Sequence, residues 1–220
     1  MGHVVAVVGL QREAAVLRRL DVVTVAGGGA SARLASELGE VAKHADGIIS
    51  FGMAGALSPE LRLGEWVIGD RVSGALDHEC DTRWIGALSA RLPGTRIGPV
   101  HADGKLVADP AKKADLNRTS GCLVADMESH VAAAVARRYN LPFAVLRCVS
   151  DEAEAALPPA IAVAMRPGGG LALGAVLGSL LGHPGQVPAL IRTVSGFNRA
   201  YAALQSGAQQ VGRRLAFDGA

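Results

Sequence analysis

The sequence predicts an α/β fold in which helices cover both faces of a central sheet, and three observations lead to this prediction. Short apolar runs that end at Gly, Ser or Asp recur along the first two thirds of the chain, and helix-length segments separate them. Such alternation is typical of a sheet packed between two layers of helices. Half of the 220 residues are hydrophobic and only 19% are charged, which suits one folded domain and excludes disorder for most of the length.

Seven strands are predicted from the apolar runs, because each is short, apolar and closed by a turn-forming residue. They cover residues 4–9, 22–26, 47–52, 66–69, 98–101, 123–127 and 143–149.

Five helices are predicted between these strands, at residues 12–20, 31–43, 82–91, 110–118 and 128–139. The last has Val131, Val135 and Tyr139 at helical spacing, with Arg137 and Arg138 where they favour the helix dipole. Residues 167–220 are predicted as a C-terminal helical segment packed on the same domain, since they contain no recognisable linker or repeat.

Composition excludes several classes of protein. The net charge is +2 and aromatic residues make up 4%, so a surface for polymeric nucleic acid is not expected. Three cysteines without CxxC spacing argue against a disulfide framework or a zinc knuckle. The N-terminus has no basic leader, and residues 171–181 form an apolar stretch shorter than the ~20 residues of a membrane-spanning helix. We therefore expect a cytoplasmic protein.

A run of three glycines, Gly27, Gly28 and Gly29, precedes the helix predicted at 31–43. Backbone N–H groups at such a point can approach an anion near a helix N-terminus, and Arg12 and Arg33 could add bidentate contacts to a phosphate. A tight strand-to-helix turn explains the same glycines equally well. The run lacks both the Walker lysine and the full GxGxxG spacing.

Two further motifs bring carboxylates to the ends of strands. Asp126, Met127 and Glu128 lie where a strand gives way to a helix, and a carboxylate there can accept both hydroxyls of a cis-diol, although acidic residues are also common at helix starts. Asp151 follows Ser150 at the carboxyl end of an apolar strand, where ligands bind in α/β sheets. Desolvation favours a protonated carboxyl group, which could protonate a leaving group.

Taken in this order, the motifs resemble the nucleoside phosphorylase superfamily of purine and uridine phosphorylases and methylthioadenosine nucleosidases. The resemblance covers residues 3–155, and its parts are the strand with Gly9 leading into Glu13, the GMAGAL segment at 52–57 followed by LGE at 63–65, the Met-Glu pair, and VSD at 149–151. It implies a single domain with a central mixed sheet, and a homo-oligomer.

The resemblance also implies a role for each matched residue. Met127 and Glu128 would hold the ribose, and Asp151, supported by Ser150, would face the purine at N7 and supply the proton for the leaving group. The remaining implied substrate contacts come from the GMAG segment: Gly52, Met53 and Ala54.

The finer pattern, with GLQREA at 9–14, ADMESH at 125–130 and VSDEA at 149–153, most resembles the hopanoid-associated phosphorylases. Those proteins are thought to release adenine from adenosylhopane. The resemblance implies phosphate as co-substrate and no metal or other cofactor.

Departures from the family pattern bear on the nucleophile. A register through Gly9 places Ala14 where the nucleosidases carry the acid that activates water, with Glu13 one position away, and this favours phosphate. Phosphorylases, however, usually have Ser or Thr where this chain has Met53 and Arg where it has Ser50, so phosphate contacts would have to come from residues 27–31, Arg12 or Arg33. A water-using nucleosidase acting on substrates like methylthioadenosine and a noncatalytic nucleoside-binding protein stay as alternatives.

An apolar segment near the C-terminus would suit a lipid-linked substrate. It is predicted as the wall of an apolar groove or as a peripheral contact with the inner membrane, while burial against the sheet or at a subunit interface is the alternative. Its apolar residues are Leu171, Leu173, Val176, Leu177, Leu180, Leu181, Val187, Leu190 and Ile191.

Overall fold

Eight strands form one sheet in the computed structural model, which describes residues 2–28, 30–158 and 187–217. They are β1 His3–Val8, β2 Val22–Ala26, β3 Ala45–Ala56, β4 Trp66–Gly74, β5 His78–Glu79, β6 Arg96–Ala102, β7 Val124–Asp126 and β8 Phe143–Asp151.

The helices of the described residues have clear local starts and stops. Asp81 and Asp109 cap two of them by accepting hydrogen bonds from the backbone N–H groups of Trp84 and Ala111. The described helices are α1 Gln11–Leu17, α2 Ser31–Ala42, α3 Thr82–Arg91, α4 Pro110–Ser120, α5 Ser129–Tyr139 and α6 Val187–Val211.

The sheet is mixed, as the resemblance implied. β1 pairs in parallel with β2 and β3, and β3 pairs in parallel with β8. β8 runs antiparallel to β4, which pairs in parallel with β6, and β6 pairs in parallel with β7. Because β7 also pairs with the far end of β3, the strands β3, β8, β4, β6 and β7 close into a ring.

Helices cover both faces of the sheet. Alternate residues of β1 enter two different apolar clusters, as the two-residue period of a strand requires. One cluster contains residues of α2 and α5, and the other contains residues of α1, α3 and α6. The indole N–H of Trp84 donates to the carbonyl oxygen of Leu215 at 2.7 Å, which holds the end of the described chain against α3. The predicted α/β class with two helical layers is confirmed.

Several predicted boundaries need correction. The strand predicted at 47–52 begins at Ala45 and continues to Ala56, so most of the GMAGAL segment is strand. β5 was not predicted, because two residues give no recognisable period. Residues 159–186, which include the predicted apolar stretch 171–181, lie outside the described residues. No helix among the described residues is both long and apolar enough to span a membrane.

Candidate active site

A cavity of about 520 Å³ lies at the carboxyl ends of β1 and β8, next to the last residues of β3 and β7. Its volume falls within the range of small-molecule sites. Most of the residues that the sequence singled out lie on its wall: Arg12, Met53, Ala54, Met127, Glu128, Ser150 and Asp151. Gly52 lies behind the wall, where it contacts Glu13.

The register of β3 places small residues between two strands that carry carboxylates. Gly55 pairs with Asp151 on β8, after a bulge that follows Ala54, and on its other side with Ala125 on β7. A Cβ atom on Gly55 would lie 3.0 Å from Oδ2 of Asp151, which is tighter than ordinary packing. The glycine therefore leaves room for the carboxyl group of Asp151 beside the strand.

Asp151 has a charged partner that sequence reasoning missed. The residue is 8% exposed, and its Oδ1 accepts a hydrogen bond from Oγ of Ser150 at 2.8 Å. Its Oδ2 lies 2.5 Å from Nζ of Lys113, which belongs to α4 and is fully buried. No motif contains Lys113, and its segment has the polar composition of a surface helix, so no sequence signal points to this residue.

Glu128 is buried at the start of α5, above the ends of β1 and β2. A Cβ atom on Gly27 would lie 2.8 Å from Cγ of Glu128, and one on Gly9 would lie 3.1 Å from Oε2. Both glycines therefore make room for this side chain. The backbone of Glu128 is fixed from below, because Oδ1 of Asp126 accepts a hydrogen bond from its N–H at 2.9 Å.

Asp126 also lines the cavity, and its side chain belongs to a buried polar network. The surroundings of Asp126 therefore differ from those of Glu128. Oδ2 of Asp126 accepts a hydrogen bond from the hydroxyl of Ser129 and lies 3.0 Å from Nε of Arg147. That contact is an ion pair by distance only, since the Nε–H does not point at the oxygen. The guanidinium of Arg147, fully buried, also donates to Oγ of Ser50 and Ser129.

Glu13 also lines the cavity, although the register through Gly9 placed Ala14 at that position. Glu13 is 2% exposed and accepts hydrogen bonds from the N–H groups of Gly9, Leu10 and Met53 at 2.7–2.8 Å. Burial raises the pKa of its carboxyl group, against the opposing effects of the Met53 N–H and the charge of Arg147. The inference that the first loop lacks an acid in the site needs correction, because Glu13 lies at the third residue of α1 and turns back onto the loop.

The residues predicted to bind phosphate are not brought together on the cavity wall. The N–H of Gly27 donates to the carbonyl oxygen of Val8, and that of Gly28 donates to the carbonyl oxygen of Gly9, so neither is directed at a ligand. Gly29 lies outside the described residues.

The two arginines of that prediction differ in position. Arg33 donates to the carbonyl oxygens of Ala26 and Gly27 and pairs with Glu37, away from the cavity. Arg12 lies on the cavity wall, with its guanidinium 4.3 Å from the ring centre of Tyr201.

Five apolar side chains from α6 and two loops also line the cavity, among the polar residues Lys105, Thr193 and Asn198. Val194 on α6 is 49% exposed. The apolar residues are Leu106, Val107, Leu157, Val194 and Phe197.

The mixed sheet and the cavity at its strand ends fit the fold that the sequence resemblance implied. The chain belongs to the Phosphorylase superfamily, whose profile matches residues 19–163. It is similar in structure to the 5′-methylthioadenosine/S-adenosylhomocysteine nucleosidase of Streptococcus pneumoniae bound to a transition-state inhibitor, with a TM-score of 0.63, 17% identity, and coverage of 94% of this chain and 99% of the other.

Two structures from Helicobacter pylori share the fold. One is an Asp-to-Asn variant of the methylthioadenosine nucleosidase with 5′-methylthioadenosine in its active site, with a TM-score of 0.64, 13% identity and coverage of 96% and 99% of the two chains. The other is a mutant of futalosine hydrolase, with a TM-score of 0.60, 13% identity and coverage of 69% and 89%. At these identities the likeness establishes the fold.

Proposed function

We propose that the protein cleaves the N-glycosidic bond of an adenine nucleoside that carries an apolar group at its 5′ position. One observation carries the proposal: Asp151 and Glu128, both buried, line the same cavity of about 520 Å³. Two carboxylates on one cavity wall supply two acidic points of recognition for a polar ligand, and buried carboxylates of this kind are typical of functional sites.

The proposed chemistry is general acid catalysis at the leaving purine. As the bond between C1′ and N9 breaks, its electrons move into the base and positive charge grows on the ribose. Asp151 donates its proton to N7, a form of assistance worth about 10²- to 10⁴-fold in rate. Glu128, next to Met127, accepts hydrogen bonds from the 2′- and 3′-hydroxyls and places a negative charge near the developing cation.

The structural relatives support this assignment at the level of substrate class. The two methylthioadenosine nucleosidases hold a transition-state inhibitor and 5′-methylthioadenosine, respectively. Adenine nucleosides with a 5′ substituent are therefore the first substrates to test on this chain.

The site favours water as the nucleophile over the phosphate that the sequence suggested. A carboxylate offers about four acceptor positions, and the three N–H groups on Glu13 leave capacity to bind and activate a water molecule. A phosphate dianion beside the same carboxylate would be repelled. Phosphorolysis is the second candidate, because Arg12 lies on the wall of the cavity.

The apolar side chains that α6 and two loops add to the cavity are the reason to propose an apolar 5′ group. A hydrocarbon chain moved from water onto Leu106, Val107 and Phe197 would gain about 25 cal/mol per Å² of buried apolar surface. Adenosylhopane is the specific substrate we propose. Exposed Ile191 and Val194 on α6 suit a shallow contact with the membrane that would hold such a lipid. A cytoplasmic location and a homo-oligomeric state stay predictions.

The test is adenine release from adenosine, methylthioadenosine and an adenosine with a long 5′-alkyl chain, with and without phosphate. We expect adenine and free ribose product without phosphate, and the highest kcat/KM for the alkyl substrate. Strict dependence on phosphate, with a ribose 1-phosphate product, would establish the second candidate instead. Tight binding of all three compounds without adenine release would contradict the enzyme assignment and favour a binding protein.

A further inference from the structure

Helix α4 buries one of its described side chains completely, and that side chain is a lysine. Lys113 is 0% exposed, while most of the residues around it on Pro110–Ser120 face solvent. A lysine is among the residues least often fully buried unless it is paired. Its position therefore needs an explanation beyond attachment of the helix.

The ammonium group of Lys113 is hydrogen-bonded to its full capacity. It has three N–H donors and contacts three acceptors: Oδ2 of Asp151 at 2.5 Å, and the carbonyl oxygens of Glu152 and Ala155 at 3.0 Å each. This set of contacts fixes the ammonium in one place on the cavity wall.

Stability alone is a weak reason for such a pair. Removing two charges from water costs several kcal/mol per ion, and well-packed apolar residues often stabilise a fold as much as a buried ion pair or more. The pair also lies at the proposed catalytic centre, where the charge of Asp151 must change during the reaction.

We propose that Lys113 is a positioning residue that stabilises Asp151 as its proton leaves, a role that rests on the proposed function. In the step, the bond between C1′ and N9 breaks and its electrons enter the purine. The O–H bond of Asp151 breaks, an N7–H bond forms, and Asp151 becomes a carboxylate. Water adds to C1′ and loses a proton to Glu13. Lys113 keeps its charge and neutralises the new carboxylate.

The contacts of Ser150 accommodate both states of Asp151. Its hydroxyl has one hydrogen and two acceptors in reach, Oδ1 of Asp151 at 2.8 Å and the carbonyl oxygen of Ala54 at 3.2 Å. When Asp151 is ionised, the hydroxyl donates to Oδ1. When Oδ1 carries the proton, that O–H group donates to Oγ of Ser150, and the hydroxyl of Ser150 turns to donate to the carbonyl oxygen of Ala54. Lys113 stays on Oδ2 in both states, so Oδ1 is the oxygen that carries the proton.

The test compares two leaving groups in charge-altering variants. Lys113→Gln removes the charge but keeps a hydrogen-bond donor, Lys113→Arg keeps the charge, and Lys112→Gln is the matched control at the exposed neighbouring position. Each is assayed on adenosine and on 4-nitrophenyl riboside, whose leaving group departs without a proton. Thermal unfolding checks that each variant is folded.

We expect Lys113→Gln to lower kcat on adenosine about 10²-fold, as loss of a transition-state charge contact does, and kcat on the nitrophenyl riboside less than about 3-fold. Lys113→Arg should restore most of the adenosine rate, and Lys112→Gln should match the wild type. On an Asp151→Asn background, Lys113→Gln should cost little more.

Equal losses on both substrates, or a second full loss on the Asp151→Asn background, would show that Lys113 is only structural and would overturn the proposal. If Lys113→Gln does not fold, Lys113→Met, which fills the same buried space without the charge, is measured in its place, and equal losses on both substrates would again overturn the proposal. Failure of the proposed function is visible separately, as absence of adenine release by the wild type, and it would overturn both proposals.

Discussion

Replacing Asp151 by Asn removes the proposed proton donor while keeping the shape of the side chain. The amide oxygen can still accept a hydrogen bond from Lys113, and the site stays filled. What is lost is a group that can transfer a proton to N7 of the purine. The variant therefore separates acid catalysis from binding.

The expected loss follows from the role of the group. General acid assistance of 10²- to 10⁴-fold corresponds to about 2.7–5.4 kcal/mol of barrier, at about 1.36 kcal/mol for each tenfold change. The folded state is also weakened, because Lys113 loses its anionic partner. Breaking a buried ion pair costs up to about 3–5 kcal/mol, and less here because the amide oxygen keeps one hydrogen bond.

Two assays check this prediction. Adenine release from a 5′-alkyl adenosine should fall at least 10²-fold, while calorimetric binding of a C-nucleoside analogue, which has no cleavable bond, should change less than about tenfold. Asp115→Asn is the matched control, since Asp115 is exposed in a surface ion pair with Arg118. Wild-type rates in the Asp151→Asn variant would refute the assignment of Asp151 as the acid.

Three further outcomes are expected. Glu128→Gln should cost about 1.5–3 kcal/mol of transition-state stabilisation in kcat/KM on ribosides, as loss of a charge-assisted hydrogen bond does. The cost should be smaller on 2′-deoxyribosides, and equal costs on both would contradict ribose recognition by Glu128. Gly55→Ala should lower kcat at least tenfold, because the new Cβ atom would lie 3.0 Å from Oδ2 of Asp151, whereas Gly86→Ala meets no atom within 4 Å and should not. Burial raises the pKa of Glu13 above 4.5, and a general base must be ionised. We therefore expect kcat/KM to decrease at acidic pH, with the decrease beginning above pH 4.5. A profile that is flat down to pH 4.5, or an acidic decrease that persists in Glu13→Ala, would exclude Glu13 as the base.

Strand positions and the carboxylates at strand ends were predictable from sequence. Apolar runs closed by turn residues mark buried strands, and the carboxyl end of such a strand faces the ligand site. This reasoning placed Glu128 and Asp151 at the ends of two different strands. Their assignment to one nucleoside site came from the resemblance to the nucleoside phosphorylases.

Contacts between distant segments were not predictable. Lys113 lies 38 residues before Asp151, in a helix whose polar sequence resembles any exposed helix. Its burial depends on how α4 docks against the loop after β8. The sequence register assigned the position of the acid to Ala14 instead of Glu13. The error is one residue, because the start of α1 decides which side chain turns back onto the loop.

The glycines show why one motif supports two structures. Gly27 and Gly28 suit an anion site as well as a tight turn, and only the pairing of their N–H groups with Val8 and Gly9 decides between them. In the same way, the small residues at 52–56 would suit a loop, but they lie within β3, where two glycines let the carboxyl groups of Glu13 and Asp151 approach the strand.

A crystal structure of the protein with a 5′-alkyl C-nucleoside analogue of adenosine would test the proposed function most directly. We expect a carboxyl oxygen of Asp151 within about 2.6–3.2 Å of the purine N7 position. We also expect hydrogen bonds between Glu128 and the ribose hydroxyls, with the alkyl chain against Phe197. A purine bound away from Asp151, or a ribose that does not contact Glu128, would contradict the proposed function.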